Sequence, residues 1–187
     1  MAKLVIISGS PSAKSRLNGV LDYAYEALKI HGHQLDLIYV RDLPAEDLLH
    51  ARFDSPSIIE AQRLVEQADA ILIATPIYKA SYTGILKAFL DLLPQKGLQR
   101  KTILPIAIGG TISHLLAIDY AIKPLLSVLG ARDILGGVYV LDTQVTWTES
   151  GSALLSEEIT SRLDAAIQEF SEEAIWQEQN KLISKGV

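Results

Sequence analysis

The sequence contains no cysteine. That absence excludes thiol catalysis, disulfides, thiolate metal sites and iron–sulfur clusters in any fold. It also fits a reducing cytosol. No apolar run approaches the roughly 20 residues that a membrane-spanning helix requires. The opening Met1-Ala2-Lys3 leads into Leu4 to Ile7, an apolar stretch too short for a signal-peptide core. There is no basic run, and the 187 residues carry a formal net charge of −5. A mildly acidic chain of this kind suits neither nucleic acid nor an anionic membrane surface. Internal repeats and low-complexity segments are lacking as well.

What is present reads as an ordinary globular domain. Hydrophobic residues make up 49% and charged residues 21%, a balance typical of neither disorder nor membrane. The length suits one domain over residues 1–187, with a core over about 3–176 and a polar C-terminal tail that frays. A soluble, cytoplasmic protein is expected.

Strand-like and helix-like segments alternate along the chain. Residues 4–8, 35–40, 70–75, 102–108 and 137–141 are short, largely apolar segments, those at 4–8, 70–75 and 102–108 stopped by glycine or proline. They read as strands, the first buried on both faces and the third likewise buried. Helices are expected over 15–31, from Pro56 onward, and over 84–93, 115–129 and 155–176. Such alternation gives a parallel sheet with helices on both faces. Right-handed crossovers and five strands point to the flavodoxin-like order 2-1-3-4-5. In that order the winding reverses between the first and third strands, and ligands bind at the carboxyl ends there. Three loops therefore matter most.

The first is Ser8-Gly9-Ser10-Pro11-Ser12-Ala13-Lys14-Ser15-Arg16. It offers four serine hydroxyls and the N-terminus of the first helix. Orphan backbone donors and the helix dipole make an anion site there. The loop has neither GxxxxGK[ST] nor GxGxxG, so it is not a nucleoside-triphosphatase loop or a dinucleotide fingerprint. It suits a terminal monoester phosphate such as that of flavin mononucleotide (FMN). The plainer reading is that its serines only cap the helix. The second loop, Thr75-Pro76-Ile77-Tyr78-Lys79-Ala80-Ser81-Tyr82-Thr83-Gly84, offers backbone groups and apolar surface to a flat ring, or is a proline turn with two semi-exposed tyrosines. The third, Gly109-Gly110-Thr111-Ile112-Ser113-His114, lets backbone approach a planar ligand closely, or is an ordinary turn. His114 is a site candidate, or simply a first-turn helix residue. His31 and His33 flank Gly32 without further spaced ligands, so no metal is expected.

These residues resemble the NADPH-dependent FMN reductase family. The resemblance is carried by Ser8-Gly9-Ser10-Pro11 with Ser15 and Arg16, by Ala74-Thr75-Pro76-Ile77-Tyr78 with Gly84 and Leu86-Lys87, and by Gly109-Gly110-Thr111. Longer runs are similar to the FMN reductases of two-component alkanesulfonate monooxygenase systems. These are Pro44-Ala45-Glu46-Asp47-Leu48-Leu49, Ala51-Arg52-Phe53-Asp54-Ser55-Pro56, Leu90-Asp91-Leu92-Leu93-Pro94, His114-Leu115-Leu116-Ala117, Asp119-Tyr120-Ala121 and Lys123-Pro124. The match spans about residues 3–145. It implies hydride transfer from NADPH (NADH possible) to FMN, with reduced FMN passed to a flavin-dependent monooxygenase in organosulfonate metabolism. It also implies a homo-oligomer, dimer or tetramer. Where the family often has arginine after Gly-Ser-Pro, this chain has Ser12, so phosphate neutralisation falls to Lys14 or Arg16.

The cofactor-binding candidates are thus Ser10, Ser15, Arg16, Thr75, Pro76, Ile77, Tyr78, Gly109, Gly110, Thr111 and His114. Hydride transfer is the cofactors' own chemistry, so no acid–base dyad is required. Arg16, Arg52 and Lys79 are candidate cations for the NADPH phosphate. Pro124 inside the fourth helix predicts a kink or a one-turn π-bulge near Tyr120. In the subgroup, a tyrosine in such a bulge lies at a subunit interface near the flavin. Alternatives are a quinone or azo reductase with bound FMN, and a flavodoxin-type electron carrier. A receiver-type signalling module is excluded, because Ser8-Gly9-Ser10 and Thr75-Pro76 stand where its acidic residues belong.

Overall fold

Val5, Ile7, Ile71, Ile73, Ile103 and Ala107 point to one side of a single sheet, and Leu4, Ile6, Leu72, Ala74, Leu104 and Ile106 to the other. Both sets are buried, so the central strands must be covered twice. The computed structural model describes residues 1–149 and 151–184.

The elements run β1 (Lys3–Ser8), α1 (Arg16–Ile30), β2 (Gln34–Tyr39), α2 (Ala45–Leu49), α3 (Pro56–Gln67), β3 (Ala70–Pro76), α4 (Gly84–Leu90) and β4 (Thr102–Gly109). There follow α5 (Lys123–Val128), β5 (Asp133–Ile134), β6 (Val138–Leu141), β7 (Val145–Trp147), β8 (Ala153–Leu155) and α6 (Glu157–Ser184). The sheet is parallel with the order β2-β1-β3-β4, and β5 and β6 both pair with β4. This is the flavodoxin-like order, with the fifth position split in two. The split lies opposite Pro105, which has no N–H to donate. Gly137 makes the break at φ 84°, where a Cβ would stand 2.7 Å from the Pro105 carbonyl.

Helices α3, α4 and α5 cover one face through Ile58, Val65, Phe89 and Leu126. On the other face lie α1 and α6, with Leu17, Leu21, Leu28, Leu163, Ile167 and Phe170. Burial of each such side chain contributes about 1.5–3 kcal/mol.

Several expected boundaries are corrected. The fourth helix is not continuous over 115–129. A 3₁₀ turn (Ile112–His114) and a π-helical turn (Ile118–Ile122) precede α5. The N–H of Lys123 reaches the carbonyl of Ile118, one residue further than an α-helical bond. Pro124 next in line has no donor, and its ring would meet the Tyr120 carbonyl in a regular helix. Leu115, the first residue of the expected helix, is 41% exposed. Helix α4 stops at Leu90, while Leu92 and Leu93 stay buried in the turn beyond it. The last helix starts after Leu155, which ends β8, and passes the expected end at Trp176. It is tied down late: Lys181 donates to the Ala68 carbonyl and Asp69, and Glu178 pairs with the Met1 amino group. Residues 185–187 of the expected tail lie outside the described residues.

The antiparallel hairpin β7–β8 was not anticipated. It seats on α1, where a Cβ on Gly19 would collide with the Cβ of Ala153. Among the described residues no helix is long and apolar enough to cross a membrane.

Candidate functional site

The loops after β1, β3 and β4 meet at the carboxyl ends of their strands, and short backbone bonds hold them together. Gly9 N–H donates to the Ala74 carbonyl, and Ile77 N–H to the Ile108 carbonyl, both at 2.8 Å. Buried Thr83 is a further tie. Its hydroxyl donates to the Gly9 carbonyl at 2.5 Å and accepts from Leu86 N–H at 3.3 Å, capping α4.

In the first loop Ser10, Ser12 and Ser15 are already engaged, whereas the buried Ser8 hydroxyl has no hydrogen-bond partner among the described residues. Ser15 is the N-cap of α1 and accepts from Leu17 N–H. Ser12 accepts from Lys14 N–H, and Ser10 exchanges bonds with the Ser12 backbone. Arg16 is anchored through its Nε, which donates to the Val145 carbonyl at 3.1 Å. The second loop turns on Lys79 and Ala80, both at positive φ (50° and 64°), with Tyr78 and Ser81 bonded across the turn. Two left-handed central residues make the tight reversal that hairpins favour.

A cleft of about 390 Å³ opens where these loops meet. It is lined by Ser12, Lys14, Ser15 and Arg16 of the first loop and by Pro76, Ile77, Tyr78, Ile108, Gly109 and Gly110 of the second and third. Asp142 and Trp147 complete it. Of the predicted residues, Ser15, Arg16, Pro76, Ile77, Tyr78, Gly109 and Gly110 therefore come together. Ser10 and Thr75 lie beneath the surface, both fully buried. Thr75 donates to the Pro76 carbonyl and accepts from Thr83 N–H. Thr111 caps the 3₁₀ turn by accepting from Ser113 N–H, and His114 ends that turn outside the cleft lining. Arg52 pairs with Glu46 and Asp47, and Lys79 sits at a turn tip; neither lines the cleft.

The third loop is shaped from below by Tyr139 on β6. This buried side chain donates to the Thr111 carbonyl at 2.8 Å and fills the space beside Gly109. Burial, and then the Asp142 carboxylate, push its phenol pKa up, so it stays a donor.

A larger groove of about 710 Å³ lies between α1, the hairpin and α6. It has no lysine or arginine in its lining and carries Asp22, Glu26 and Asp164. An anionic cofactor has no counter-charge there, and it is away from the strand ends, so the smaller cleft is the better site. Among the described residues no group of three or more His, Asp or Glu could hold a metal.

Comparison with known proteins shows the family. The family profile described as NADPH-dependent FMN reductase matches residues 2–146. The chain belongs to the NADPH-dependent FMN reductase family. An "FMN reductase (NADPH)" of Pseudomonas putida KT2440 is 47% identical, covering 89% of this chain and 85% of that protein. The protein of the same description from Escherichia coli K12 is 43% identical, covering 90% and 87%. Among solved structures, an apo "NADH:FMN oxidoreductase (EMOB)" superposes with a TM-score of 0.82 at 37% identity, covering 91% of this chain and 89% of that one.

The reductase is thus an oxidoreductase acting on FMN with a nicotinamide cofactor. Its cleft fits FMN chemically. Lys14, Arg16 and the start of α1 offer positive charge to a phosphate. Pro76, Ile77, Tyr78 and the Gly109-Gly110 backbone offer a flat apolar wall with a polar edge. When bound, FMN supplies the hydride-accepting ring. The protein's part is to hold the two cofactors in line and to shield the ring.

Proposed function

We propose that the reductase binds FMN as an exchangeable substrate in this cleft. The phosphate sits against Ser12, Lys14, Ser15 and Arg16, and the ring against Pro76–Tyr78 and Gly109-Gly110. Reduced FMN then leaves for a flavin-dependent monooxygenase that acts on organosulfonates in the cytoplasm. The observation that carries the reading is that Lys14 and Arg16 share one open cleft with Tyr78, Gly109 and Gly110. Its wider setting is supported by the long subgroup runs around Ala45, Arg52 and Tyr120.

Assembly belongs to the same proposal. Ile112, Leu115, Leu116 and Tyr120 are exposed on and before the π-helical turn, a patch suited to a second copy of the chain. NADPH is the proposed donor, with NADH tolerated.

The test follows NADPH absorbance during oxidation with and without added FMN. Oxidation by colourless protein that depends on added FMN supports the reading. Protein that stays yellow through purification and reduces a quinone without added FMN overturns it in favour of a bound-flavin quinone reductase. Coupling to a sulfonate monooxygenase, read as sulfite release, tests the acceptor.

A further inference from the structure

Asp142 is the one carboxylate in the cleft lining among the described residues. It starts the 3₁₀ turn (Asp142–Gln144) after β6. Its Oδ2 lies 3.6 Å from the point where a Cβ on Gly110 would stand. Lys14 and Arg16 enter the same lining from the start of α1, and Arg16 Nε is tied to the Val145 carbonyl just past that turn. The cleft therefore holds two cations from the start of α1 and one carboxylate from the end of β6, the carboxylate beside Gly110.

We propose that Asp142 makes the cleft discriminate between the redox states of flavin, holding oxidised FMN in preference to reduced FMN. This rests on the reading above, in which the FMN phosphate faces Lys14 and Arg16 and the ring faces Gly110. The oxidised ring is neutral. Hydride transfer moves two electrons and one proton from nicotinamide to the ring. The nicotinamide becomes a cation, and the ring retains one negative charge. Asp142 then faces a like charge that was absent before transfer. The phosphate charge is the same in both states and cancels from the ratio of affinities.

Coulomb repulsion between unit charges a few ångströms apart, in the screened environment of an open cleft, corresponds to a shift of roughly three- to tenfold in that ratio. Tyr139 and Thr111 fix the neighbouring backbone, so the loop cannot simply move the ring away from the carboxylate. Reduced flavin is thereby held less tightly than oxidised flavin. An enzyme that hands reduced flavin to a separate acceptor needs this, whereas one that retains its flavin does not.

The isosteric Asp142→Asn tests the charge alone. Dissociation constants are measured anaerobically for oxidised FMN and for dithionite-reduced FMN, in wild type, in Asp142→Asn and in Arg16→Ala. In Asp142→Asn, reduced FMN should gain at least threefold in affinity relative to oxidised FMN, and the midpoint potential of bound FMN should rise. Arg16→Ala should weaken both states alike. If Arg16→Ala weakens both but Asp142→Asn leaves the ratio unchanged, the role of Asp142 is overturned and the site stands. If neither substitution changes any affinity, FMN does not lie in this cleft and both readings fall.

Discussion

The hydroxyl of Tyr139 occupies the space that a side chain on Gly109 would need, and from there it donates to the Thr111 carbonyl. One side chain on β6 thus sets both the residue type and the path of the loop after β4. Gly109→Ala should destabilise by about 1–3 kcal/mol through overpacking. Tyr139→Phe should cost about 0.5–1.5 kcal/mol through the lost hydrogen bond. With the hydroxyl gone, the next ring atom, Cζ, stands 3.3 Å from the added methyl, which a small shift accommodates. The double variant should therefore lose less than the sum of the two singles. Urea unfolding of the four proteins measures that coupling directly. Strict additivity would show that the loop yields instead.

Thr83 joins three parts of the site with one buried hydroxyl. It holds the Gly9 carbonyl, caps α4 at Leu86, and its own N–H is held by Thr75. Thr83→Val keeps the shape and removes the hydroxyl. The Gly9 carbonyl and the Leu86 N–H then lose a partner. A loss of about 1–3 kcal/mol in unfolding free energy is expected. FMN affinity should fall with it, because the first and second loops lose their direct link. Thr83→Ser, which restores the hydroxyl, should recover both.

The strand order was readable because β1, β3 and β4 are unbroken apolar runs, and a parallel sheet demands such runs. The split at Gly137 was not readable, since it arises from Pro105 on a neighbouring strand. The hairpin β7–β8 escaped notice because its strands have three residues each, too few to display alternation. With it went Trp147, and the meaning of Gly19 as a packing site for Ala153. Asp142 was missed although it directly follows the fifth strand, a position the fold marks as near the ligand. Ser10 and Thr75 show the opposite limit. A polar residue at a strand end can face the ligand or brace the loop from below, and only packing decides. Pro124 marked a break near Tyr120, since a missing donor has a local consequence, but the residues alone left a kink and a π-helical turn both open.

His33 and Ser171 are buried together, with His33 Nε2 and Ser171 Oγ 2.6 Å apart, joining the start of β2 to α6. Burial, and next the charge of His31, hold the His33 pKa below its ordinary value. The folded protein therefore favours neutral imidazole. In the unfolded chain the same ring protonates near pH 6.5. Below that pH the unfolded state binds more protons, so stability is fully present above about pH 6.5 and is lost as pH falls through the depressed value. Urea midpoints from pH 7.5 to pH 5 should fall in wild type and fall less steeply in His33→Gln. Parallel curves would assign the acid sensitivity to other groups.

The last expectation concerns Tyr120, which stands 78% exposed in the middle of the π-helical turn. The turn itself is held by its neighbours. Ile118 and Ile122 are buried on the sheet, and Lys123 pairs with Asp119 at 2.7 Å. The widened backbone follows from Pro124 and does not need the tyrosine ring. Within one chain, removing an exposed ring should change stability by no more than about 0.5 kcal/mol. Between chains the cost is different. An aromatic ring that packs across an interface contributes a large apolar area, and its hydroxyl then finds a partner on the other copy. Tyr120→Ala should therefore keep the single-chain fold, as read by circular dichroism, while shifting sedimentation toward smaller species. Pro124→Ala provides the complementary variant. It restores the missing donor, favours a regular helix and should move Tyr120 around the helix axis while leaving the ring in place. If the interface depends on where the π-turn aims the ring, both variants lose assembly. If only the ring matters, Tyr120→Ala alone does so. Wild-type sedimentation for both would show that Tyr120 faces solvent in the working enzyme.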